Sequence, residues 1–223
     1  MVPHEDTEVV AQVPLAVTVQ EGPGATLLFL HGLTGSAASW MRVAPLLGGY
    51  RLIIPDLLGF GRSPKPDSPY DLAAHCAALS PLIAETRPVA VVGHSMGGVI
   101  ALGLLQRHAN LAAGVLVSPA LYDSRQQALA AMDGAPWLQR MSLRSPRLAH
   151  LMCDASCMLR PLLQPLAPLF ARDLPAPVAR ASLDHTWASY SRTLEHVVLG
   201  GLARPLLDEI GGLVTIIHGE HDR

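Results

Sequence analysis

Short apolar segments, rich in β-branched residues, alternate with helix-like segments through the first half of the chain. This alternation is typical of a mostly parallel β-sheet covered by helices on both faces. We expect an N-terminal hairpin from VVAQV and LAVTV, followed by buried strands in ATLLFLHG (25–32), YRLIIPD (50–56), VAVVGHS (89–95) and AAGVLVSP (112–119). Helices are expected around Trp40–Leu47, over 68–87 with Ser68 as N-cap and Pro69 at the first position, and in VIALGLLQRH after Gly98.

Residues 120–206 interrupt the alternation, because they contain no convincing strand and are rich in leucine, alanine, proline and arginine. LVTIIHGEHDR (213–223) then returns as one more buried strand. A helical block between two strands of one sheet indicates a lid over the carboxyl edge, where open α/β sheets bind ligands. We therefore predict a core formed by 1–119 and 207–223, with a helical cap at 120–206.

The turn GHSMG (93–97) lies between a predicted strand and a predicted helix. This is the context of a G-x-S-x-G nucleophile elbow, in which a tight turn projects the serine hydroxyl into an open site. The glycines keep the turn free of side chains that would collide with the strand or the helix. The following helix directs N–H groups and its positive dipole end at a developing oxyanion. Ser95 is therefore the candidate nucleophile.

Composition argues against several other classes of protein. With a formal net charge of -2 and 15% charged residues, the chain lacks the basic surplus of a nucleic-acid-binding protein. The first residues form no signal peptide, and the three scattered cysteines indicate reduced thiols, so we predict a cytoplasmic protein. No apolar run is long enough to span a membrane. No metal or cofactor is predicted, and the oligomeric state is left open.

Four segments resemble the α/β-hydrolase family, in the order in which that family has them: LFLHGLTGSAASW (28–40), IIPDLLGFGRSPKP (53–66), VVGHSMGGVIAL (91–102) and VTIIHGEHDR (214–223). The resemblance covers nearly the entire chain and implies a mainly parallel sheet, helices on both sides and a helical cap. It implies that Ser95 is the nucleophile and that the backbone N–H groups of Leu33 and Met96 form the oxyanion hole. Asp222, in the turn that follows the last predicted strand, matches the acid of the catalytic triad.

Two further features of these segments have structural interpretations. Asp56, with the glycines and arginine that follow it, resembles the family's structural turn and is not a predicted catalytic group. His94 is a poor base for Ser95, because adjacent residues on a tight elbow project in different directions.

The resemblance also implies a catalytic histidine on a loop after one further strand, well beyond the acid. The sequence ends one residue after Asp222, and His218 and His221 lie too close to the acid to fold back toward Ser95. We expect the chain to lack the last strand, the catalytic histidine and the final helix, and to be inactive by itself. If it is active, His218, His221, His185 or His196 must act as the base.

The leading hypothesis is a cofactor-free serine hydrolase that cleaves small or medium apolar carboxylic esters through an acyl-enzyme. The apolar cap favours an apolar acyl or aryl group. A carbon–carbon bond hydrolase of ring-cleavage products is the alternative within the fold. GHSMGG and DLLGFGRSPKP look similar to that branch of the family, and the cap has nine arginines against six acidic residues to meet a substrate carboxylate. A non-catalytic binding protein on a hydrolase scaffold is the alternative of another class.

Overall fold

A six-stranded sheet forms the centre of the protein, whose computed structural model describes residues 13–131 and 145–220. The strands lie in the order β1-β3-β2-β4-β5-β6. Their bounds are Val17–Gln20 (β1), Thr26–Leu30 (β2), Arg51–Pro55 (β3), Ala90–His94 (β4), Ala113–Val117 (β5) and Leu213–Ile217 (β6). β1 pairs antiparallel with β3, and all the other neighbouring strands are parallel. The predicted, mostly parallel sheet is confirmed.

Helices connect the parallel strands and occupy most of the described chain between β5 and β6. Two of them lie in the first half, Leu72–Thr86 (α1) and Met96–Arg107 (α2). Six follow β5: Arg125–Ala131 (α3), Pro146–Met158 (α4), Arg160–Phe170 (α5), Ala176–Ala181 (α6), Trp187–Thr193 (α7) and Ala203–Asp208 (α8). A π-helical turn, Leu194–Val198, continues α7. We call the described part of 120–206 the inserted helices.

Alternate residues of the central strands are buried on opposite faces of the sheet. Leu28 and Leu30 of β2 pack with residues of α1 and α2, whereas Phe29 between them packs with Trp40 and Ile54 on the other face. Side chains alternate in this way along any strand, so both faces must be covered when every residue is apolar. This explains why the segment LLFL has no polar side.

The inserted helices contact the core at a few defined places. The backbone of His185 forms an isolated antiparallel bridge with Phe60. The imidazole Nε2 of His75, on α1, lies 3.2 Å from the hydroxyl of Thr193 on α7. The short helix α6 packs against the turn that follows β2. The carboxyl edge of the sheet and the inserted helices therefore meet around the 56–63 turn.

The expected hairpin and the expected helix around Trp40–Leu47 both differ from the structure. LAVTV contributes β1, which pairs with β3 rather than with a preceding strand, and residues 9–12 of the expected hairpin lie outside the described residues. The helix expected around Trp40–Leu47 is two short 3-10 turns, Ala37–Trp40 and Ala44–Leu47. Pro45 in the second turn lacks the N–H that a continuous helix would need there.

The helix expected from Ser68 begins four residues later. Asp71 is the N-cap, and its carboxylate accepts a 2.7 Å hydrogen bond from the N–H of Ala74. Tyr70, fully buried with φ of 50°, turns the chain sharply just before the helix. A carboxylate and a hydroxyl are both good caps, so the sequence pattern alone did not distinguish Asp71 from Ser68.

The strand expected in LVTIIHGEHDR forms as β6, but its predicted burial is wrong. Leu213, Ile216 and Ile217 are 71%, 45% and 49% exposed. Within the described residues β6 is the edge of the sheet and has only β5 beside it. The apolar sequence indicated a strand with buried side chains. Their burial depends on which elements pack against the strand, and the segment itself does not specify those elements.

Candidate active site

Ser95 lies at the junction of β4 and α2, with backbone angles that serine rarely adopts. Its φ is 52° and its ψ is -118°, and it is the N-cap of α2 without using its side chain as a cap. Its N–H donates to the carbonyl of Val117 at 3.0 Å, and its carbonyl accepts from the N–H groups of Gly98 and Ala120. These bonds hold the backbone in a sharp turn and leave the half-buried hydroxyl without a capping role.

The glycines beside Ser95 are required by close backbone contacts. A Cβ on Gly93 would lie 2.3 Å from the carbonyl oxygen of Gly97. A Cβ on Gly97 would lie 2.5 Å from the oxygen of Leu30 and 2.7 Å from that of His31. Any larger residue would push α2 away from the ends of β2 and β4. The elbow is therefore built by backbone packing, as the G-x-S-x-G pattern predicts.

The loop after β2 lies directly against the elbow. A Cβ placed on Gly32 would be 3.2 Å from the Cβ of Ser95. Leu33, the predicted oxyanion donor, follows Gly32 and is half-buried. Met96, the other predicted donor, is fully buried and is the first residue of α2, where the N–H has no acceptor within the helix. The structure thus brings the three predicted residues Ser95, Leu33 and Met96 to one place.

His31 fixes the conformation of this loop. Its Nε2 accepts a 2.8 Å hydrogen bond from the N–H of Leu57, so its Nδ1 carries the proton and donates to the carbonyl of Gly32 at 2.8 Å. Full burial lowers the pKa of His31 to about 4, so the ring is neutral at pH 7. Because the carbonyl of Gly32 points at His31, the N–H of Leu33 points the opposite way across the trans peptide.

Sequence reasoning assigned no role to His31. The HG pair after β2 was interpretable as an ordinary turn at the end of a strand. The distinguishing signal was a histidine at the end of an otherwise apolar, buried strand, because a buried imidazole must find partners for both nitrogens. Those partners lie on separate segments, and no local pattern specifies them.

Asp56 forms the structural turn that the sequence suggested. One of its carboxylate oxygens accepts from the N–H of Ala37 at 2.7 Å, and the other accepts from the N–H and Nε of Arg62. The glycine at 61, with φ of 53°, allows the chain to fold back onto this carboxylate. Asp56 thereby ties the 3-10 turn Ala37–Trp40 to the end of β3.

Asp222, the predicted acid of the triad, and His221 lie outside the described residues. β6 ends at Ile217, in register with Val117 of β5 and hence with His94 of β4. The chain thus leaves β6 at the same edge of the sheet that holds Ser95. The role of Asp222 stays a prediction.

His185 and His196, the two histidines of the inserted helices named as candidate bases, have contacts of their own. Burial lowers the pKa of His185 to about 4, and its ring packs against Tyr190 at 5.5 Å between centroids. His196 Nδ1 lies 3.0 Å from the carbonyl oxygen of Pro69. His94 is exposed, with its ring edge-on to Trp40 at 6.5 Å. These environments favour neither His185 nor His196 as the base for Ser95.

The described part of the chain offers neither a cluster of metal ligands nor a membrane-spanning helix. Within 13–131 and 145–220, no group of three or more histidine, cysteine or acidic residues is placed to hold a metal ion. In that same part of the chain, no helix is both long and apolar enough to cross a membrane.

Known proteins resemble this chain over the segments that build the elbow and the sheet. The chain is 39% identical over 115 residues to the probable lysophospholipase BODYGUARD 4 of Arabidopsis thaliana, a match that covers 48% of this chain and 27% of that protein. It is 42% identical over 103 residues to lipase LipV of Mycobacterium tuberculosis, covering 45% of this chain and 39% of the lipase. The matches therefore span well under half of the length of either curated relative.

The fold is shared with solved structures of low sequence identity. The crystal structure of E-2-(acetamidomethylene)succinate hydrolase superimposes with a TM-score of 0.69 at 19% identity, covering 95% of this chain and 78% of that one. The sequence model of the alpha/beta hydrolase family matches residues 27–223, which include the elbow and the loop after β2. The chain therefore belongs to the alpha/beta hydrolase family.

Proposed function

We propose that this protein is a serine hydrolase that cleaves small or medium apolar carboxylic esters through an acyl-enzyme. The observation that carries the proposal is the backbone of Ser95, held at φ 52° and ψ -118° between β4 and α2. Such strained residues cluster at functional sites, and Ser95 lies beside the loop of Leu33 and the first residue of α2, Met96, whose backbone N–H groups are the proposed oxyanion donors. The relatives named as a lipase and a probable lysophospholipase support an ester as the substrate.

In the proposed mechanism, the Ser95 oxygen attacks the ester carbonyl while a base removes the hydroxyl proton. The N–H groups of Leu33 and Met96 stabilise the oxyanion that forms on the carbonyl oxygen. Collapse of this intermediate expels the alcohol and leaves an acyl group on Ser95, which water then removes. Asp222 would orient the imidazole that acts as the base.

None of the ten histidines follows Asp222, the position that the family's base occupies. We therefore propose that the 223-residue chain turns over esters slowly, because Ser95 stays protonated at neutral pH. In a comparable serine enzyme the loss of the triad histidine costs roughly 10⁶ in kcat. If Ser95 is the nucleophile and Leu33 and Met96 are the oxyanion donors, an external base of suitable pKa should restore part of that rate.

The test is hydrolysis of p-nitrophenyl butyrate by the chain and two variants, with and without added imidazole. Ser95→Ala should reduce the rate to the buffer background in both conditions. Ser118→Ala is the matched control, because Ser118 also has a left-handed backbone (φ 43°) and follows the neighbouring strand β5. It should keep the parent rate and the imidazole response.

Three results would overturn parts of this proposal. Equal rates for the parent and Ser95→Ala would remove Ser95 from the mechanism. A fast parent rate that does not respond to imidazole would mean that a histidine of this chain is the base. Absence of any rate above background, with imidazole present, would favour a non-catalytic binding protein.

The carbon–carbon bond alternative is decided by the substrate. A dienone carboxylate should be cleaved much faster than the butyrate ester if that alternative holds, and not at all if the ester proposal holds. The Ser95→Ala variant is again the control, since both reactions need the elbow.

A further inference from the structure

A cavity of about 720 Å³ opens beside the loop after β2, between the core and the inserted helices. Its walls come from β1, the Ala37–Trp40 turn, the 56–62 turn and α6. Neither Ser95 nor the predicted oxyanion donors line it. Its size is within the range of small-molecule binding sites. This cavity lies next to the candidate active site and is separate from it.

Most of the lining of this cavity is small and apolar. The apolar wall consists of Val19, Ala37, Ala38, Met41, Ala44, Ile54, Pro177 and Ala181. The four alanines leave room that larger side chains would fill, and Val19 and Met41 are each 45% exposed. An aliphatic chain placed on this wall would remove apolar surface from water, which favours binding.

Two carboxylates and two guanidiniums line the cavity, and they differ in how far they are already paired. Asp56 already accepts three hydrogen bonds. Asp184 lies 3.7 Å from Arg160 and accepts a 2.8 Å hydrogen bond from Gln164. By contrast, the exposed guanidinium of Arg180 forms no ion pair or hydrogen bond within residues 13–131 and 145–220. Among the described residues, Arg180 is therefore a cation with no direct ion-pair partner, at the edge of a mostly apolar cavity.

Arg62 is the second guanidinium of the cavity, and it is only partly engaged. Its Nε lies 3.3 Å from Asp56, and its terminal NH2 donates to the hydroxyl of Thr18 at 3.1 Å. Its side chain is 67% exposed. Arg62 therefore adds positive potential to the side of the cavity opposite α6, although its geometry is fixed by the structural turn.

We propose that this cavity binds an aliphatic carboxylate, with the chain on the alanine-lined wall and the carboxylate on Arg180. A planar guanidinium can donate two parallel hydrogen bonds to a carboxylate, which fixes both distance and orientation. The ligand would bridge α6 and the Ala37–Trp40 turn. Binding needs no bond to form or break, and it does not depend on the proposed role of Ser95.

The test is titration calorimetry of the 223-residue chain with octanoate, with octan-1-ol as the uncharged probe. Octanoate should bind at one site, and Arg180→Gln should weaken it by about ten- to hundredfold, the range for a lost charge-assisted hydrogen bond. Arg172→Gln is the matched control, because Arg172 is an exposed arginine of the inserted helices that does not line the cavity. It should bind octanoate like the parent, and octan-1-ol should bind the parent at least tenfold more weakly.

A second variant tests the apolar half of the site. Ala181→Phe should fill the cavity and abolish octanoate binding, with an unchanged melting temperature as proof of folding. Arg62 is left unchanged throughout, because its substitution would also disturb Asp56.

Three results would overturn the inference: absence of octanoate binding to the parent at millimolar concentration, equal binding by Arg180→Gln and Arg172→Gln, and unchanged binding by a folded Ala181→Phe. The Ser95→Ala variant is a separate control in the octanoate titration, and it should bind octanoate as the parent does. Loss of binding in Ser95→Ala would assign the carboxylate to the catalytic site instead. A failed esterase assay with intact octanoate binding would contradict only the proposed function.

Discussion

The sheet core and the inserted helices of this protein are packed in different ways. Nine of the twelve residues of α2 are buried, and they pack against β4 and β5. None of the eleven residues of α5 is buried, and Leu162, Leu169 and Phe170 are 68%, 61% and 84% exposed. The core is therefore held by close apolar contact, whereas α5 presents much of its apolar surface to solvent.

Polar contacts also join the inserted helices to one another and to the core, in addition to apolar residues such as Leu194, Val197 and Leu206 that pack in the main core cluster. Arg192 reaches Asp67 and the carbonyl of Ser68 at 2.6 Å, and Arg125 pairs with Glu195 at 2.9 Å. Exposed ion pairs of this kind contribute about 0–1 kcal/mol each. The difference teaches that the elbow lies in a closely packed apolar core, whereas α5 contributes no buried residue to that core.

The largest expected difference between the two regions is the loss of unfolding free energy in a pair of leucine truncations. Leu79 of α1 is fully buried in the main core cluster, whereas Leu162 of α5 is 68% exposed. Leu79→Ala should lower the free energy of unfolding by about 2–5 kcal/mol, and Leu162→Ala by less than about 0.5 kcal/mol. Urea unfolding measures both. Equal losses would show that α5 is packed in solution as tightly as α1.

A second test concerns the close contacts of the elbow. Gly97→Ala should destabilise the protein by about 3 kcal/mol, because its Cβ would collide with two backbone oxygens that cannot move independently. Gly49→Ala is the control, since a Cβ there has no atom within 4 Å. Thermal unfolding should separate the two variants by about 6–12 °C. If they melt together, the elbow tolerates a side chain and the backbone account of its glycines is wrong.

The third test uses pH, because the core contains buried neutral histidines. Burial lowers the pKa of His75 to about 3, with a smaller effect from His31, while its ring stacks on Phe60. The unfolded chain takes up this proton near pH 6.5 and the folded chain does not, so stability is lost as the pH falls below that value.

The expected loss from His75 alone is about 2 kcal/mol between pH 7 and pH 5. His75→Phe, which keeps an aromatic ring, should lose that much less over the same interval. The control is Leu79→Ala, which destabilises the core without removing a titratable group. Its pH dependence should match that of the parent. A His75→Phe variant with the parent's pH dependence would contradict the neutral, buried state of His75.

The smallest expected effect concerns the substrate. If the inserted helices provide an apolar contact above Ser95, kcat/KM should rise as the acyl chain of a p-nitrophenyl ester is lengthened from acetyl to hexanoyl. Each added CH₂ contributes up to about 0.8 kcal/mol when it is buried. The series is measured in the presence of imidazole. A preference for acetyl over every longer chain would argue against an apolar lid.

Much of the core could be predicted from the sequence, because its determinants are local. LLFL and LIIP are apolar on both faces, which indicates central parallel strands, and GHSMG can form the elbow only between a strand and a helix. The start of α1 was placed at Ser68 instead of Asp71, since both residues are acceptable caps. The 56–62 turn was interpreted as structural from its resemblance to the family's turn.

The rest depends on contacts between segments that are far apart in the chain. His31 binds Leu57, 26 residues away, and His75 meets Thr193 across 118 residues. The exposure of β6 and the cavity at Arg180 likewise depend on which elements lie beside them. No spacing rule within a segment encodes such neighbours, so these features emerged only from the structure.

The backbone of Ser95 places stability and reactivity in conflict at one residue. A non-glycine residue in such a sparsely populated region carries a cost of order 1–3 kcal/mol, which the surrounding β4, β5 and α2 contacts must offset. Glycine would adopt the same angles without that cost. A library of variants selected only for resistance to heat should therefore enrich Ser95→Gly, and the proteins that survive best would have lost the proposed nucleophile.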